Sequence, residues 1–132
     1  AIGDVNGDGN EDIFIGGAKG SPAALYLHKG DGKLGKPNTT PFEIDIEYED
    51  TAAAFFDMDN DGDLDLVVGT GGNELGMQTT YSIRVYKNKG NGNFSKVESK
   101  FPTANKNISV IAPYDFNSDG FTDLFIGSRS NA

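Results

Sequence analysis

Short apolar runs, rich in β-branched and aromatic residues, recur along the chain between clusters of Gly, Asp and Asn. The runs DIFIGG, DLVVGT and DLFIGS begin at residues 12, 65 and 123, and TAAAFF and SVIAPY begin at residues 51 and 109. Runs of this length and composition predict buried β-strands. Because no segment has the hydrophobic period of a helix, the pattern predicts an all-β fold.

A second repeated pattern follows the first two of these loop-and-strand segments. The stretch YLHKGDGKL at residues 26–34 aligns with YKNKGNGNF at residues 86–94. Its Gly-Asp-Gly and Gly-Asn-Gly triplets predict tight turns between a third and a fourth strand, the fourth strands lying near residues 42–48 and 94–97. Four antiparallel strands in a repeated unit predict blades of a β-propeller, whose faces are covered by neighbouring blades.

The length of the chain accommodates about two such blades and part of another. We expect residues 1–132 to form a partial β-propeller, with a blade at residues 1–50 whose first strand is truncated, a complete blade at residues 51–107 and the start of the next at residues 108–132. A closed propeller needs at least about four blades. The chain is therefore expected to be a fragment of a larger propeller that packs against further blades, or to assemble with other copies.

Three acidic stretches precede the apolar runs: DVNGDGNED at residues 4–12, DMDNDGDLD at residues 57–65 and DFNSDGFTD at residues 115–123. They share the pattern D-x-[DN]-x-D-G-x-x-D, in which the oxygen-bearing positions and one glycine are constant. Calcium takes six to eight oxygen ligands at about 2.3 to 2.6 Å in a flexible geometry. A single stretch could be an acidic surface turn, since Asp, Asn and Gly dominate turns. Three copies in register favour calcium binding.

Positions one, three, five and nine of each loop are the predicted side-chain ligands, and position seven is predicted to offer a backbone carbonyl. The side-chain ligands are Asp4, Asn6, Asp8 and Asp12; Asp57, Asp59, Asp61 and Asp65; and Asp115, Asn117, Asp119 and Asp123. The carbonyls belong to Asn10, Asp63 and Phe121. Gly9, Gly62 and Gly120 at position six would let each loop reverse.

The type of calcium loop follows from what comes after it. An EF-hand has a bidentate Glu at position twelve and flanking helices, whereas these loops have Ile15, Val68 and Ile126 there, inside predicted strands. The loop is therefore predicted to be the bend of a β-hairpin. Magnesium fits less well, because it demands a stricter octahedron and retains several waters.

Together, the loops and the DLVVG-type strands resemble the FG-GAP or VCBS-type repeats of propellers like those of integrin α-chains. The resemblance implies a calcium-stabilised blade with the ion in the hairpin between its first two strands, in a propeller of commonly seven blades. Up to three calcium ions are expected. Asn6 and Asn117 supply a neutral oxygen at position three, so the second loop is expected to bind calcium most tightly.

Charge and composition exclude several functions. The net charge is −9, which argues against nucleic-acid binding because phosphate recognition needs basic patches. The sequence contains no transmembrane run, so no direct membrane insertion is expected. There are no cysteines, and His28, the only histidine, aligns with Asn88 of the next repeat. We therefore predict that the chain is not an enzyme.

The preferred interpretation is a calcium-binding propeller module that acts as an adhesion-type scaffold of a secreted or cell-surface protein. Its location would be extracellular, at the cell surface or periplasmic, where millimolar calcium saturates weak sites. The alternative is an accessory propeller domain of a carbohydrate-active enzyme or a lectin. The partner, a protein or a glycan, is not identified by the sequence. Residues 70–80 form a connection about seven residues longer than its counterpart around residues 16–22, which is either a partner-binding loop or a tolerated surface insertion. In the first case, Glu74, Leu75 and Met77 are the side chains expected to contact the partner.

Overall fold

The computed structural model describes residues 1–72, 82–101 and 107–129. It contains three antiparallel sheets and a short 3-10 helix. The first sheet has the strands β1 (Ile2–Gly3), β2 (Asp12–Ile15) and β3 (Ala24–Tyr26), and the helix, Thr40–Asp45, follows it. The second sheet has β4 (Glu49–Phe56), β5 (Asp65–Gly71), β6 (Ile83–Asn88) and β7 (Phe94–Val97), and the third has β8 (Asn107–Tyr114) and β9 (Asp123–Arg129). The all-β prediction is confirmed.

The second sheet shows the complete unit that the sequence predicts. Its strands pair in sequence order, β4-β5-β6-β7, so that the chain runs up and down across the sheet. Every residue of β5 is buried, because neighbouring sheets cover both of its faces. Leu66 and Val68 point toward the first sheet, whereas Val67 between them points toward the third. This alternation explains why β5 is apolar on successive positions.

Two apolar cores separate the three sheets. The core between the first and second sheets contains Val5, Phe14, Ala23, Leu25, Phe42, Leu66, Val68, Tyr86 and Phe94. The core between the second and third sheets contains Ala54, Phe56, Val67, Ile83, Val85, Ile108 and Ile111. The repeat is visible in the backbone of the second and third sheets as well. The β4–β5 hairpin has a register shift near Thr51, and the β8–β9 hairpin has one near Ser109.

The prediction of a fourth strand near residues 42–48 is wrong. Residues 40–45 form the 3-10 helix instead, with Pro41 in its first turn. Phe42 is buried between two aromatic rings, and its centroid lies 5.2 Å from that of Phe14 and 5.0 Å from that of Tyr86, both in edge-on geometry. The helix thus inserts a large ring into the core between the first and second sheets.

A buried polar network fixes this helix to the second sheet. The Asp45 carboxylate accepts a hydrogen bond from the Tyr86 hydroxyl at 2.5 Å and one from Lys96 Nζ at 2.6 Å. Arg84 donates to the Tyr86 hydroxyl at 2.9 Å and forms an ion pair with Asp50. Burial, and then the hydrogen bond to Asp45, raise the pKa of Tyr86 above its ordinary value.

The predicted Gly-x-Gly turns are present in both repeats. Gly90, Asn91 and Gly92 all have positive φ, and the Asn93 N–H donates to the carbonyl of Gly90 at 3.2 Å. The first repeat has the same arrangement at residues 30–32. This turn lies beside the acidic loops, since a Cβ built at Gly92 would lie 3.3 Å from Val5 of the first loop. Within the described residues, no helix is both long and apolar enough to cross a membrane.

Candidate metal centre

Each acidic loop connects the first two strands of a sheet, as the hairpin prediction requires. The residues that flank the loops are paired across the strands: Gly3 with Asp12, Phe56 with Asp65 and Tyr114 with Asp123. The loops therefore start and end at equivalent points of equivalent hairpins. The backbones of the three loops can therefore position ligands in the same way, and the loops differ only in their side chains.

The aspartate at position one organises the loop backbone. In all three loops its two carboxylate oxygens accept the N–H groups of positions five and six, at 2.8 to 3.2 Å. The accepting residues are Asp4, Asp57 and Asp115. An oxygen that accepts one hydrogen bond retains a second lone pair, as each of these oxygens does except Asp4 Oδ1, which also accepts the N–H of Gly7 at 2.8 Å. These carboxylates can therefore shape the loop and still face an ion.

Position five repeats this arrangement one step further along. The carboxylates of Asp8, Asp61 and Asp119 accept the N–H of position seven at 2.8, 3.0 and 2.9 Å. The bond from the Asn10 N–H is the main reason why the pKa of Asp8 is lowered. In the first loop the Asn6 side chain also bonds Asp8, its Nδ2 lying 3.1 Å from an Asp8 carboxylate oxygen.

Two residues of each loop have left-handed backbone. At position six, Gly9, Gly62 and Gly120 have φ values of 86°, 93° and 88°, which confirms the role assigned to these glycines. Position four is left-handed as well, with φ values of 73°, 59° and 59° at Gly7, Asn60 and Ser118. The repeated pattern D-x-[DN]-x-D-G-x-x-D sets no residue type at this position. The small or locally hydrogen-bonding residues found there were the available signal.

The aspartate at position nine braces the loop against its sheet. Asp65 is completely buried, and its carboxylate accepts the N–H of Met58 at 2.9 Å and the N–H of Asn88 at 2.8 Å. Asp12 accepts the equivalent N–H groups of Val5 and of His28, two residues beyond β3, at 2.9 and 2.8 Å. Burial raises the pKa of Asp65, in spite of both hydrogen bonds. The structure thus gives position nine a structural role, and its role as a ligand stays a prediction.

The second loop brings three carboxylates into one group. Single oxygens of Asp57, Asp59 and Asp61 all lie within 4.8 Å of one another. Ligands on opposite sides of a calcium ion, each about 2.4 Å from it, are separated by about 4.8 Å, so the group fits one such ion. In the described part of the chain, this is the acidic group with that spacing. The other two loops have an Asn at position three and therefore a pair of carboxylates with an amide oxygen.

The comparison with known families agrees with this geometry. A family model for the FG-GAP-like repeat matches residues 4–68 and again residues 69–126. The chain belongs to this family. The resemblance inferred from the loops is therefore confirmed, and the three sheets are blades of the β-propeller that these repeats form. No curated protein and no solved structure matched the chain.

A lysine from outside the loop contacts the acidic group of the second FG-GAP-like loop. Lys87, on β6, donates to Asp59 and, at 3.1 Å, to a carboxylate oxygen of Asp61. These two hydrogen bonds raise the pKa of Lys87. The pKa of Asp61 is lowered, chiefly by the N–H of Asp63 and next by Lys87. Lys87 lies outside the repeated acidic pattern, 26 residues from Asp61, so the pattern alone does not point to it.

Buried Asn88 joins the first two loops of the repeat array. Its Nδ2 donates to the carbonyl of Val5 at 2.8 Å and to the carbonyl of Leu64 at 3.1 Å, and its Oδ1 accepts the N–H of Gly90 at 3.0 Å. The first loop, the second loop and the Gly-x-Gly turn are therefore held at one edge of adjacent blades. The first two loops and this turn therefore lie on the same face of the adjacent blades.

The predicted residues thus separate into three groups. Positions one, three and five face one another in the second loop, position nine is buried beneath each of the first two loops, and the carbonyls of Asn10, Asp63 and Phe121 stay predicted ligands. The proposed partner contacts at Glu74, Leu75 and Met77 lie outside the described residues.

Proposed function

We propose that the chain is a calcium-binding propeller module that serves as a structural and interaction scaffold of a secreted or cell-surface protein. The observation that carries the proposal is the group of Asp57, Asp59 and Asp61 in a loop whose backbone is already shaped by hydrogen bonds to Asp57 and Asp61. These carboxylates would hold the calcium ion. Bound, the ion would neutralise charges that repel one another and would hold the hairpin bend closed.

Calcium suits this group better than magnesium does. Several carboxylate oxygens are oriented by backbone N–H groups rather than by a rigid octahedral frame, and calcium tolerates irregular coordination of this kind. The extracellular location is part of the proposal for the same reason, because calcium is abundant enough there to fill sites of modest affinity. The net charge of −9 also favours a cation as ligand.

The outer faces of the blades support a further part of this proposal. Ile15 on β2 is 54% exposed, and Tyr114 and Phe125 at the third sheet are 66% and 56% exposed. The apolar side chains of β5 are, in contrast, buried by the sheets on either side. We propose that further blades cover these faces in the working propeller.

Two substitutions in the second loop test the calcium site. Asp59 accepts no backbone N–H group in the described structure, so Asp59→Ala removes a proposed ligand with little effect on the loop. Asp63→Ala is the matched control, because it removes the same charge from the same loop but leaves the proposed backbone carbonyl in place. In calorimetric titrations with calcium, we expect Asp59→Ala to abolish binding at this loop and Asp63→Ala to retain it. Equal effects of the two substitutions would contradict the proposed ligand set.

A further inference from the structure

The side chain of Lys87 lies where a cation bound to the second loop would lie. Its ammonium group contacts Asp59 and Asp61, which are two of the three grouped carboxylates. The lysine comes from β6, the third strand of the same blade, so the fold itself delivers this charge to the loop. Its side chain is 31% exposed, and it can therefore leave the loop without disrupting the core.

An ammonium group and a calcium ion cannot share these carboxylates at contact distance. Calcium would need oxygens of Asp59 and Asp61 at about 2.3 to 2.6 Å, where it would repel a positive charge bound to the same two groups. The lysine has a flexible stem and competes as a tethered cation. Calcium binding at this loop therefore requires that Lys87 first moves away.

The first repeat shows the same loop without such a competitor. Leu27 occupies the position that corresponds to Lys87, between the aligned pairs Tyr26 with Tyr86 and His28 with Asn88. Leu27 is apolar and packs against the core between the first two sheets. The first loop has one carboxylate fewer at positions one, three and five, and no lysine reaches it from this strand; His28, the next residue, is the last of the causes that lower the pKa of Asp8.

We propose that Lys87 is a built-in counterion that holds the second loop closed in the absence of calcium and raises the calcium concentration at which this loop fills. The proposal rests on the proposed calcium-binding function. It reverses the order expected from carboxylate number, because Lys87 offsets the additional negative charge of Asp59. The loops of one propeller would then fill at different calcium concentrations, the first before the second.

The test follows the backbone amide resonances of Gly9 and Gly62 during a calcium titration of the isotope-labelled chain. In the unmodified chain, we expect Gly62 to respond at a higher calcium concentration than Gly9. In Lys87→Leu, which copies Leu27, the midpoint for Gly62 falls by roughly fivefold, the upper range for an exposed ion pair, and the midpoint for Gly9 is unchanged. Lys87→Gln, which keeps the length and polarity of the side chain, gives the same shift and guards against a folding defect in the Leu variant.

Lys89→Leu is the matched control, since exposed Lys89 lies two residues away and its loss changes the net charge equally. If Lys89→Leu shifts the Gly62 midpoint as much as Lys87→Leu does, or if neither Lys87 variant shifts it, the counterion proposal is overturned. If neither glycine responds to calcium in any variant, the proposed calcium-binding function itself is wrong. A response of Gly9 with an unchanged Gly62 midpoint rejects only the role of Lys87.

Discussion

Replacing Asp65 by Ala separates the structural role of position nine from metal binding. Asp65 is fully buried and accepts two backbone N–H groups, from Met58 at the start of the loop and from Asn88 at the end of β6. Alanine leaves both N–H groups without this acceptor, that of Asn88 in a buried contact and that of Met58 in a partly buried one. We therefore expect Asp65→Ala to lower the free energy of unfolding even when no metal is present.

The magnitude follows from these two contacts. A buried donor left unsatisfied costs about 1 to 3 kcal/mol, so two fully buried donors would cost about 2 to 6 kcal/mol, which is an upper bound here because the Met58 N–H is only partly buried. Part of this is offset, because burial of the Asp65 carboxylate is itself unfavourable, as its raised pKa indicates. We expect a net loss of about 2 to 4 kcal/mol in the free energy of unfolding, or roughly 10 °C in melting temperature.

Denaturant unfolding in the presence of a calcium chelator measures this effect without a metal contribution. Asp59→Ala is the control, because the exposed Asp59 carboxylate contacts Lys87 and no backbone N–H group within the described residues. Its substitution should change the free energy of unfolding by only about 0.5 kcal/mol in chelator. If the two variants are equally stable under these conditions, the brace assigned to Asp65 is wrong.

Two further predictions concern the packing between blades. Phe42→Ala removes a ring that is buried between Phe14 and Tyr86, and the cavity should cost about 3 to 5 kcal/mol in denaturant unfolding, whereas a cost below about 1 kcal/mol would exclude a core role for this ring. Gly69→Ala places a Cβ too close to Ile108 across the blade interface, so we expect a lower melting temperature. A second substitution, Ile108→Ala, should partly restore the melting temperature, and no restoration would contradict this contact.

The loops and turns were predictable because their geometry is local. Positions one and five bond N–H groups only two to five residues away, so an aspartate at a fixed spacing carries the information for the bend. Position four was missed because three different residues, Gly7, Asn60 and Ser118, adopt the same left-handed backbone. A pattern that searches for one residue type does not detect such a position.

The 3-10 helix and the lysine contact depend on tertiary structure and could not be predicted from local pattern. Residues 42–48 alternate between apolar and polar side chains as a strand does, yet Ile44 is 75% exposed and Phe42 is buried. The choice is made by rings from β2 and β6 that surround Phe42. In the sequence, Lys87 likewise looks like an ordinary solvent-exposed lysine of a strand. Only the folded hairpins bring it beside Asp59 and Asp61.

Thermal unfolding of the same chain in chelator, in excess calcium and in excess magnesium tests the central claim most directly. An ion that binds only the folded loops stabilises the fold by about 2.7 kcal/mol per site at a hundredfold excess over its dissociation constant. We predict a melting temperature that is higher in calcium than in chelator, by roughly 10 °C for one filled loop, and a smaller rise in magnesium. Identical melting curves in chelator and in calcium would contradict the assignment of these loops as calcium sites.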